Sequence, residues 1–176
     1  MTEMRVIGLA GWSGAGKTTL LTKAIPMLVR QGIKVSTLKH AHHGFDIDQP
    51  GKDSYQHRHA GATEVLVASG RRWALMHELR LEPEPTLAEL VQKLSPVDLL
   101  IVEGFKRDPH PKIEVHRRDN GKPFLHPDNP TIAAVATDQP ELVTDRPALH
   151  SDDIDRIVPL LLERAVPLAE AIDGAA

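Results

Sequence analysis

The chain has 176 residues, of which 41% are hydrophobic and 26% charged, with no cysteine and a net charge of −3. This composition excludes a disordered or fibrous protein and a disulfide framework, and it predicts one globular domain over residues 1–176. The charge argues against a nucleic-acid partner, no apolar stretch is long enough to predict a membrane span, and the lack of cysteine fits a cytoplasmic location.

The N-terminal part of the chain predicts a strand, a helix and a second strand. Met4–Ala10 is a short apolar run of β-forming residues, and apolar residues then recur at helical spacing over Leu20–Val29. Pro26 falls inside this helix, and Gly32 is a stop signal after it. Ile33–Leu38 is the next strand, and a strand–helix–strand unit makes the two strands parallel.

The middle of the chain predicts a loop, two short helices and a hairpin. The polar stretch His40–Gly51 is typical of a loop, and Lys52–Ala60 of a short helix. Thr63–Ser69 and Arg72–Glu78 are strand-like runs on either side of a glycine, which predicts a hairpin. Thr86–Leu94 is a helix that opens with a capping box.

Three more strands and a final helix complete the predicted fold. Val97–Val102 is the most apolar strand, and Lys112–His116 and Thr131–Ala136 follow it, with a proline-rich surface loop over Asp119–Pro130. Ser151 is expected to cap the last helix. Alternating strands and helices predict an α/β fold, in which a mostly parallel sheet is covered by helices on both faces.

A phosphate-binding loop is the clearest functional signal. Residues 11–18 match G-x-x-x-x-G-K-[ST] in full, after a predicted strand and at the start of a predicted helix. Glycines let successive backbone N–H groups turn towards an anion, and the helix adds the positive end of its dipole. Lys17 is expected to reach the outer phosphates and Thr18 to hold Mg²⁺. The full motif comprises Gly11, Trp12, Ser13, Gly14, Ala15, Gly16, Lys17 and Thr18.

Acidic residues at two places are candidates for the metal and for catalysis. Glu103 ends the most apolar strand, where a P-loop protein places the acid that supports Mg²⁺, either directly or through water. Asp46 and Asp48 lie in the loop after the second strand, and in an extended segment they would share one side. Such a loop can order Mg²⁺ or a water molecule near the γ-phosphate, or its acids can simply be solvated.

Histidines, basic residues and Trp12 leave further alternatives open. Five histidines within twenty residues could bind a transition metal, but they match no standard zinc spacing, and phosphate, backbone or solvent contacts compete. Trp12 could cover the nucleotide, meet a partner or pack. The histidines are His40, His42, His43, His57 and His59. The basic residues that could bind a second anionic molecule beside the nucleotide are Lys39, Lys52, Arg58, Arg71, Arg72, Lys106 and Arg107.

Three segments in order resemble the molybdopterin-guanine dinucleotide biosynthesis protein B family, MobB. They are GLAGWSGAGKTTLL, TLKHAHHGFDIDQPGKDSYQHRHAGA and DLLIVEGFK, and VASGRRWAL fits as well. The resemblance implies a homodimeric P-loop protein that binds GTP with Mg²⁺ and hydrolyses it slowly. It also implies an adapter role for the guanylyltransferase that joins GMP to molybdopterin, with molybdopterin itself as a possible ligand.

The resemblance extends the predicted site by several residues. It carries phosphate binding to Gly11–Thr19 and assigns Mg²⁺ support to Glu103. It places Asp46 and Asp48 in the family's DxD-like block, so we expect Lys17, Asp48 and Glu103 to be catalytic and Thr18, Asp46 and Glu103 to hold the metal. No N-K-x-D signature is present, and Asp138, at the end of a predicted strand, is the candidate guanine contact.

Three functions therefore compete at this point. The first is a GTP-binding adapter with weak hydrolysis. The second is a metallochaperone GTPase, which only the histidine cluster favours. The third is a small-molecule kinase that uses the same loop.

Overall fold

The computed structural model describes residues 3–41, 44–143 and 145–173. No helix in the described ranges is long and apolar enough to cross a membrane. In chain order the strands and helices are β1 (Arg5–Ala10), α1 (Lys17–Arg30), β2 (Val35–Lys39), α2 (Asp53–His59), β3 (Glu64–Ala68), β4 (Trp73–His77), α3 (Leu87–Val91), β5 (Leu99–Glu103), β6 (Lys112–His116), β7 (Ile132–Thr137), β8 (Ala148–His150), α4 (Ile154–Arg164), β9 (Val166–Pro167) and α5 (Leu168–Asp173).

The chain forms two compact units. Residues 1–40 and 87–176 make the first unit, whose sheet has the strand order β2-β5-β1-β6-β7-β8. Every pair along this order is parallel, and β9 adds an antiparallel pair with β1. The prediction that the first two strands are parallel is confirmed, with β5 between them.

Side chains of the sheet alternate between two hydrophobic cores. Ile7 and Leu9 of β1 pack in one core with residues of α1 and α4, while Val6 packs in the other with Leu87 and Val91 of α3. The residues of β5 alternate in the same way, and all but its last are buried. Because each buried aliphatic side chain contributes roughly 1.5–3 kcal/mol, both cores stabilise the sheet. The predicted α/β fold with helices on both faces is confirmed.

The second unit, residues 41–86, contains α2 and the antiparallel pair β3–β4. This confirms the predicted short helix and hairpin. Arg58 of α2 carries the main polar network of the unit, with ion pairs to Asp46 at 2.8 Å, Asp48 at 3.5 Å and Glu78 at 2.8 Å. The single domain over the whole chain stays a prediction.

The start of the last long helix was predicted wrongly. Asp153, not Ser151, caps α4, because its carboxylate accepts a hydrogen bond from the backbone N–H of Arg156 at 3.3 Å. The backbone N–H of Ser151 instead donates to the carbonyl of Thr137 at 2.9 Å, so this residue still belongs to the strand connection. The short strands β8 and β9 and the helix α5 were not predicted.

A buried histidine beside β6 makes the first unit sensitive to acid. His110 is 1% exposed, and neither ring nitrogen has a hydrogen-bond partner in the described part of the chain. Burial, together with the positive charge of Lys112, lowers the pKa of His110 to about 3 from its ordinary 6.5. Unfolded chains therefore bind this proton at a higher pH than folded ones, and stability falls as pH drops below 6.5.

Replacing His110 with leucine is expected to remove this loss of stability at low pH. At pH 5 the wild-type histidine lowers the free energy of unfolding by about 2 kcal/mol relative to neutral pH. A leucine of similar size does not titrate and leaves no unpaired polar atom. His110→Leu should therefore be more stable than wild type at pH 5, by more than at pH 7.5. Urea unfolding at both pH values measures the free energy of unfolding of each protein. If the difference between wild type and variant is the same at both pH values, the lowered pKa of His110 is contradicted.

Candidate functional site: a phosphate-binding turn

The connection between β1 and α1 is a glycine-rich turn that leads from a buried strand directly into a helix. Gly11, Gly14 and Gly16 have φ values of +147°, +80° and +96°, which L side chains rarely adopt. A Cβ on Gly11 would lie 2.4 Å from the carbonyl oxygen of Val115 in β6. Glycine is therefore required at the first motif position by close packing as well as by curvature.

Lys17 is folded back over this turn. Its Nζ donates to the carbonyl oxygens of Gly11 at 2.9 Å and Trp12 at 3.0 Å. Burial lowers the pKa of Lys17, Glu103 opposes this shift, and the nearby cations Lys106 and Lys39 add to it. An ammonium group held among like charges is stabilised by an anion, which is what a bound phosphate supplies.

The first turn of α1 completes an anion-binding surface. The backbone N–H of Leu20 donates to the Gly16 carbonyl at 2.9 Å, which closes the first helical turn. The N–H groups of Lys17, Thr18 and Thr19 precede that bond and have no acceptor within the helix. Thr18 and Thr19 are exposed, and the first turn contains no acidic residue. This end of the helix is suited to phosphate.

Glu103 lies at the carboxyl end of β5, next to the phosphate-binding turn. It pairs in register with Leu9 of β1 on one side and Lys39 of β2 on the other. Its side chain is only 14% exposed, and its ion pair with Lys39 Nζ is long, at 3.7 Å. In the described part of the chain, no side-chain donor forms a hydrogen bond with this carboxylate.

The residues present fit a magnesium ion. A largely buried carboxylate without a hydrogen-bond donor needs a cation, and Mg²⁺ prefers carboxylate, hydroxyl and phosphate oxygens. Glu103 would supply the carboxylate and Thr18 the hydroxyl. When bound, the ion would neutralise negative charge on the phosphates.

A loop after β6 packs against the phosphate-binding turn, and we call residues 117–126 the brace loop. Trp12 Nε1 donates to the Pro123 carbonyl at 2.9 Å, and Asn120 Nδ2 donates to the Ser13 carbonyl at 3.0 Å. Asn120 Oδ1 lies 3.3 Å from the position that a Cβ on Gly14 would take. The brace loop therefore fixes the exposed half of the turn.

Glu114 anchors the far end of the brace loop from inside the sheet. It is fully buried on β6, and its two carboxylate oxygens accept the backbone N–H groups of Leu125 at 2.6 Å and His126 at 2.9 Å. His126 Nδ1 lies 3.0 Å from the same carboxylate. These three contacts to the Glu114 carboxylate compensate for its burial and fix the course of the brace loop.

Asp138 connects to the same loop at the end of β7. Its carboxylate accepts the backbone N–H of Arg118 at 3.0 Å and the hydroxyl of Thr137 at 3.3 Å. His116 bridges Thr137 and the loop, with Nδ1 3.1 Å from the hydroxyl and Nε2 donating to the Lys122 carbonyl at 3.0 Å. Hydrogen bonds thus run from Asp138 into the loop that holds the phosphate-binding turn.

Comparison with known proteins identifies the family that carries this site. Residues 6–138 match the family described as MobB, molybdopterin guanine dinucleotide synthesis protein B. This chain belongs to the MobB family. The match covers the phosphate-binding turn, Glu103, Glu114 and Asp138, so the whole site described above lies within the family region.

Relatives in sequence and structure agree with this assignment. The chain is 44% identical over 158 residues to a molybdopterin-guanine dinucleotide biosynthesis adapter protein of Haemophilus influenzae, covering 88% of this chain and 84% of that one. It is 42% identical over 165 residues to the Escherichia coli protein of the same name, covering 92% and 94%. A crystal structure of Bacillus subtilis MobB superposes with a TM-score of 0.69 at 29% identity, covering 92% of this chain and 98% of that one.

The family assignment supports the first of the three functions considered from the sequence. The resemblance to MobB and the P-loop α/β fold are confirmed. None of the relatives described here favours a metallochaperone or a small-molecule kinase. Within the described ranges, no three histidine, aspartate or glutamate side chains converge as a metal site.

The predicted MobB site residues fall in both units. Gly11 to Thr19 and Glu103 lie together in the first unit, and Asp138 joins them through the brace loop. Asp46 and Asp48 lie in the second unit, bound to Arg58, and Asp48 Oδ2 is buried without a hydrogen-bond partner in the described part of the chain. Their catalytic and metal roles stay predictions.

Two of the predicted histidines each pack against an aromatic ring of their own unit. His40 lies beside Phe105, with ring centroids 5.0 Å apart. His59 stacks on Tyr55 at 3.9 Å. His42 and His43 lie outside the described residues.

The sequence predicts a surface loop over Asp119–Pro130 and does not indicate that this loop packs on the phosphate-binding turn. Glu114 gave one signal, since it lies between Ile113 and Val115 in a predicted strand, and a charged residue buried there needs a polar partner. That partner lies eleven or more residues further on, and no local pattern identifies it.

Proposed function

We propose that this chain is a GTP-binding adapter that assists attachment of GMP to molybdopterin in synthesis of the guanine dinucleotide form of the molybdenum cofactor. The observation that carries the proposal is the complete phosphate-binding turn, with Lys17 folded over it, in a chain of the MobB family. The names of its relatives from Haemophilus influenzae and Escherichia coli point to the same pathway.

GTP and Mg²⁺ are the ligands of this proposal. The phosphates would lie against residues 11–19, with Lys17 on the outer phosphates and Mg²⁺ on Thr18 and Glu103. Weak hydrolysis would need an ordered water molecule, a role for which Asp48 is the candidate, and Asp46 would assist the metal. Asp138 would read the guanine base.

The partners of the proposal are the molybdenum cofactor guanylyltransferase, molybdopterin and a second copy of this chain, all in the cytoplasm. The homodimer is supported by the hairpin of the second unit, where Leu66, Trp73 and Leu75 are 64%, 67% and 45% exposed. Exposed apolar clusters of this kind mark protein interfaces. A monomer at every concentration in sedimentation velocity would contradict the dimer.

Replacing Glu103 with glutamine should reduce the contribution of Mg²⁺ to nucleotide binding. The amide keeps the shape but loses the charge, so the strengthening of GTP-analogue binding by Mg²⁺ should fall about tenfold, or about 1.4 kcal/mol. Calorimetric titration with and without Mg²⁺ measures this ratio. Asp98→Asn, next to the opposite end of β5, is the control, and an unchanged ratio in Glu103→Gln would remove Glu103 from the metal site.

Replacing Asp138 with asparagine should change base preference. A carboxylate accepts hydrogen bonds from the N1–H and amino group of guanine, whereas an asparagine amide can donate to the 2-oxo group of xanthine. The variant should prefer XTP to GTP by about tenfold or more, as measured by competition binding. The exposed Asp119→Asn is the matched control, and retention of the wild-type preference in Asp138→Asn would exclude Asp138 as the guanine contact.

The adapter role is tested in a reconstituted reaction with the guanylyltransferase, molybdopterin, GTP and Mg²⁺. The wild-type chain should increase formation of the guanine dinucleotide, and Lys17→Ala should not. Equal stimulation by both proteins would show that nucleotide binding by this chain is not needed, and no stimulation by either would contradict the adapter proposal.

A further inference from the structure

Trp12 is a large aromatic residue within the phosphate-binding turn, and two lysines converge on it. Lys106 Nζ lies 5.0 Å from the centre of its ring system, and Lys122 Nζ lies 5.9 Å away. Trp12 Nε1 donates a hydrogen bond to the Pro123 carbonyl at 2.9 Å, and this bond fixes the plane of the indole. We call Trp12, Lys106 and Lys122 the lysine–tryptophan face.

The two lysines of this face have no acidic partner in the described part of the chain. By contrast, Lys23 pairs with Asp152 at 2.8 Å, and Lys39 pairs with Glu103. Lys106 is close enough to Lys17 to lower its pKa further. Lys39, Lys106 and Lys122 thus lie around the turn that Lys17 covers, with Glu103 as the acid among them in the described part of the chain. This is more positive charge than one Mg²⁺-bound triphosphate requires.

The backbone positions of both lysines are fixed. Lys106 follows Gly104 and Phe105, whose φ values of +99° and +46° form a strained turn, and the Lys106 carbonyl accepts Asn129 Nδ2 at 3.2 Å. Lys122 is held through its carbonyl by His116 Nε2 at 3.0 Å. A non-glycine residue in the left-handed region costs energy and persists where the surroundings enforce it, which is a frequent property of binding sites.

We propose that the lysine–tryptophan face binds the phosphomonoester of a second ligand, next to the nucleotide. Two ammonium groups within 5.9 Å of the centre of one indole, with no carboxylate partner in the described part of the chain, suit a dianion, and lysine is a common phosphate-binding residue. The indole edge beside them offers an apolar surface for a planar ring. The identity of that ring as a pterin rests on the proposed function, while the phosphate site rests on the geometry alone.

Binding of a pterin phosphomonoester to the full-length Trp73→Phe chain tests this proposal. That variant leaves Trp12 as the remaining tryptophan, so its fluorescence reports directly on the face. The chain is first saturated with a non-hydrolysable GTP analogue and Mg²⁺, and the affinity for the analogue is measured separately. The probes are the pterin phosphomonoester, the same pterin without phosphate, and inorganic phosphate.

The phosphorylated pterin should quench Trp12, and Lys106→Met and Lys122→Met should each raise its Kd about tenfold, which corresponds to about 1.4 kcal/mol. Both variants should bind the GTP analogue within about twofold of the parent, and Lys93→Met should change neither affinity. The pterin without phosphate should bind at least about tenfold more weakly than the phosphorylated one.

Three results would overturn the proposal. If the lysine substitutions weaken binding of the GTP analogue as much as binding of the pterin phosphomonoester, the two lysines belong to the nucleotide site. If inorganic phosphate binds as tightly as the pterin phosphomonoester, the face does not select an esterified ligand. If quenching is the same in all variants, the ligand binds elsewhere. Loss of GTP-analogue binding by the parent would instead contradict the proposed function, and the phosphate probes can then be titrated without nucleotide.

Discussion

Replacing Lys17 with alanine is expected to weaken binding of a GTP analogue about 100-fold while leaving the fold intact. The ammonium group would lose its charge-assisted bonds to the outer phosphates, and two such bonds account for about 3 kcal/mol. Its contacts within the protein are two bonds to the carbonyls of Gly11 and Trp12. Burial lowers its pKa, so the cost of desolvating the ammonium offsets part of what these bonds contribute to stability.

Calorimetric titration measures the affinity of Lys17→Ala, and circular dichroism verifies the fold. Lys23→Ala is the matched control, because Lys23 lies on the same helix and pairs on the surface with Asp152. That control should bind within about twofold of wild type. A Lys17→Ala chain that binds as tightly as wild type would show that the turn does not hold the phosphates.

Replacing Gly104 with alanine is expected to destabilise the protein by about 3 kcal/mol. Gly104 has φ +99°, and an added Cβ would lie 2.6 Å from Cβ of His40, the residue that follows β2. A strained φ costs about 1–2 kcal/mol and steric overlap of this kind a similar amount. Because Gly104 directly follows Glu103, the change should also reduce the contribution of Mg²⁺ to nucleotide binding.

Urea unfolding of Gly104→Ala and Gly121→Ala separates the cost of the strained φ from the cost of the steric overlap. Gly121 has φ +61° and nothing within 4 Å of an added Cβ, so its variant reports the cost of the backbone conformation alone, about 1 kcal/mol. Equal destabilisation by the two substitutions would show that the close approach of Gly104 to His40 has no energetic consequence.

Much of the site could be predicted from the sequence because its central parts are local. The turn, its lysine and its helix occupy consecutive positions, and the spacing of the glycines follows from the geometry of phosphate binding. The position of Glu103 could be predicted because a fully apolar strand implies burial on both faces, and its carboxyl end is the end at which parallel sheets bind ligands. Its role at the metal stays a prediction.

The remainder depends on contacts between distant residues. Trp12 meets Pro123 across more than a hundred residues, and Glu114 meets Leu125 and His126 through a loop without regular structure. The position of β5 between β1 and β2 follows from strand pairing, which hydrophobic periodicity does not specify. Ser151 fits a helix cap by residue type, but its backbone N–H bonds to the distant Thr137 carbonyl, and Asp153 caps α4 instead.

The central claim is that this turn binds GTP with Mg²⁺, and calorimetric titration of the wild-type chain tests it most directly. Non-hydrolysable analogues of GTP and ATP would each be titrated with and without Mg²⁺. The GTP analogue should bind at least about tenfold more tightly than the ATP analogue, and Mg²⁺ should strengthen its binding. Equal binding of the two analogues, or preference for ATP, would contradict the assignment of a GTP-dependent adapter and leave a phosphate-binding turn of different specificity.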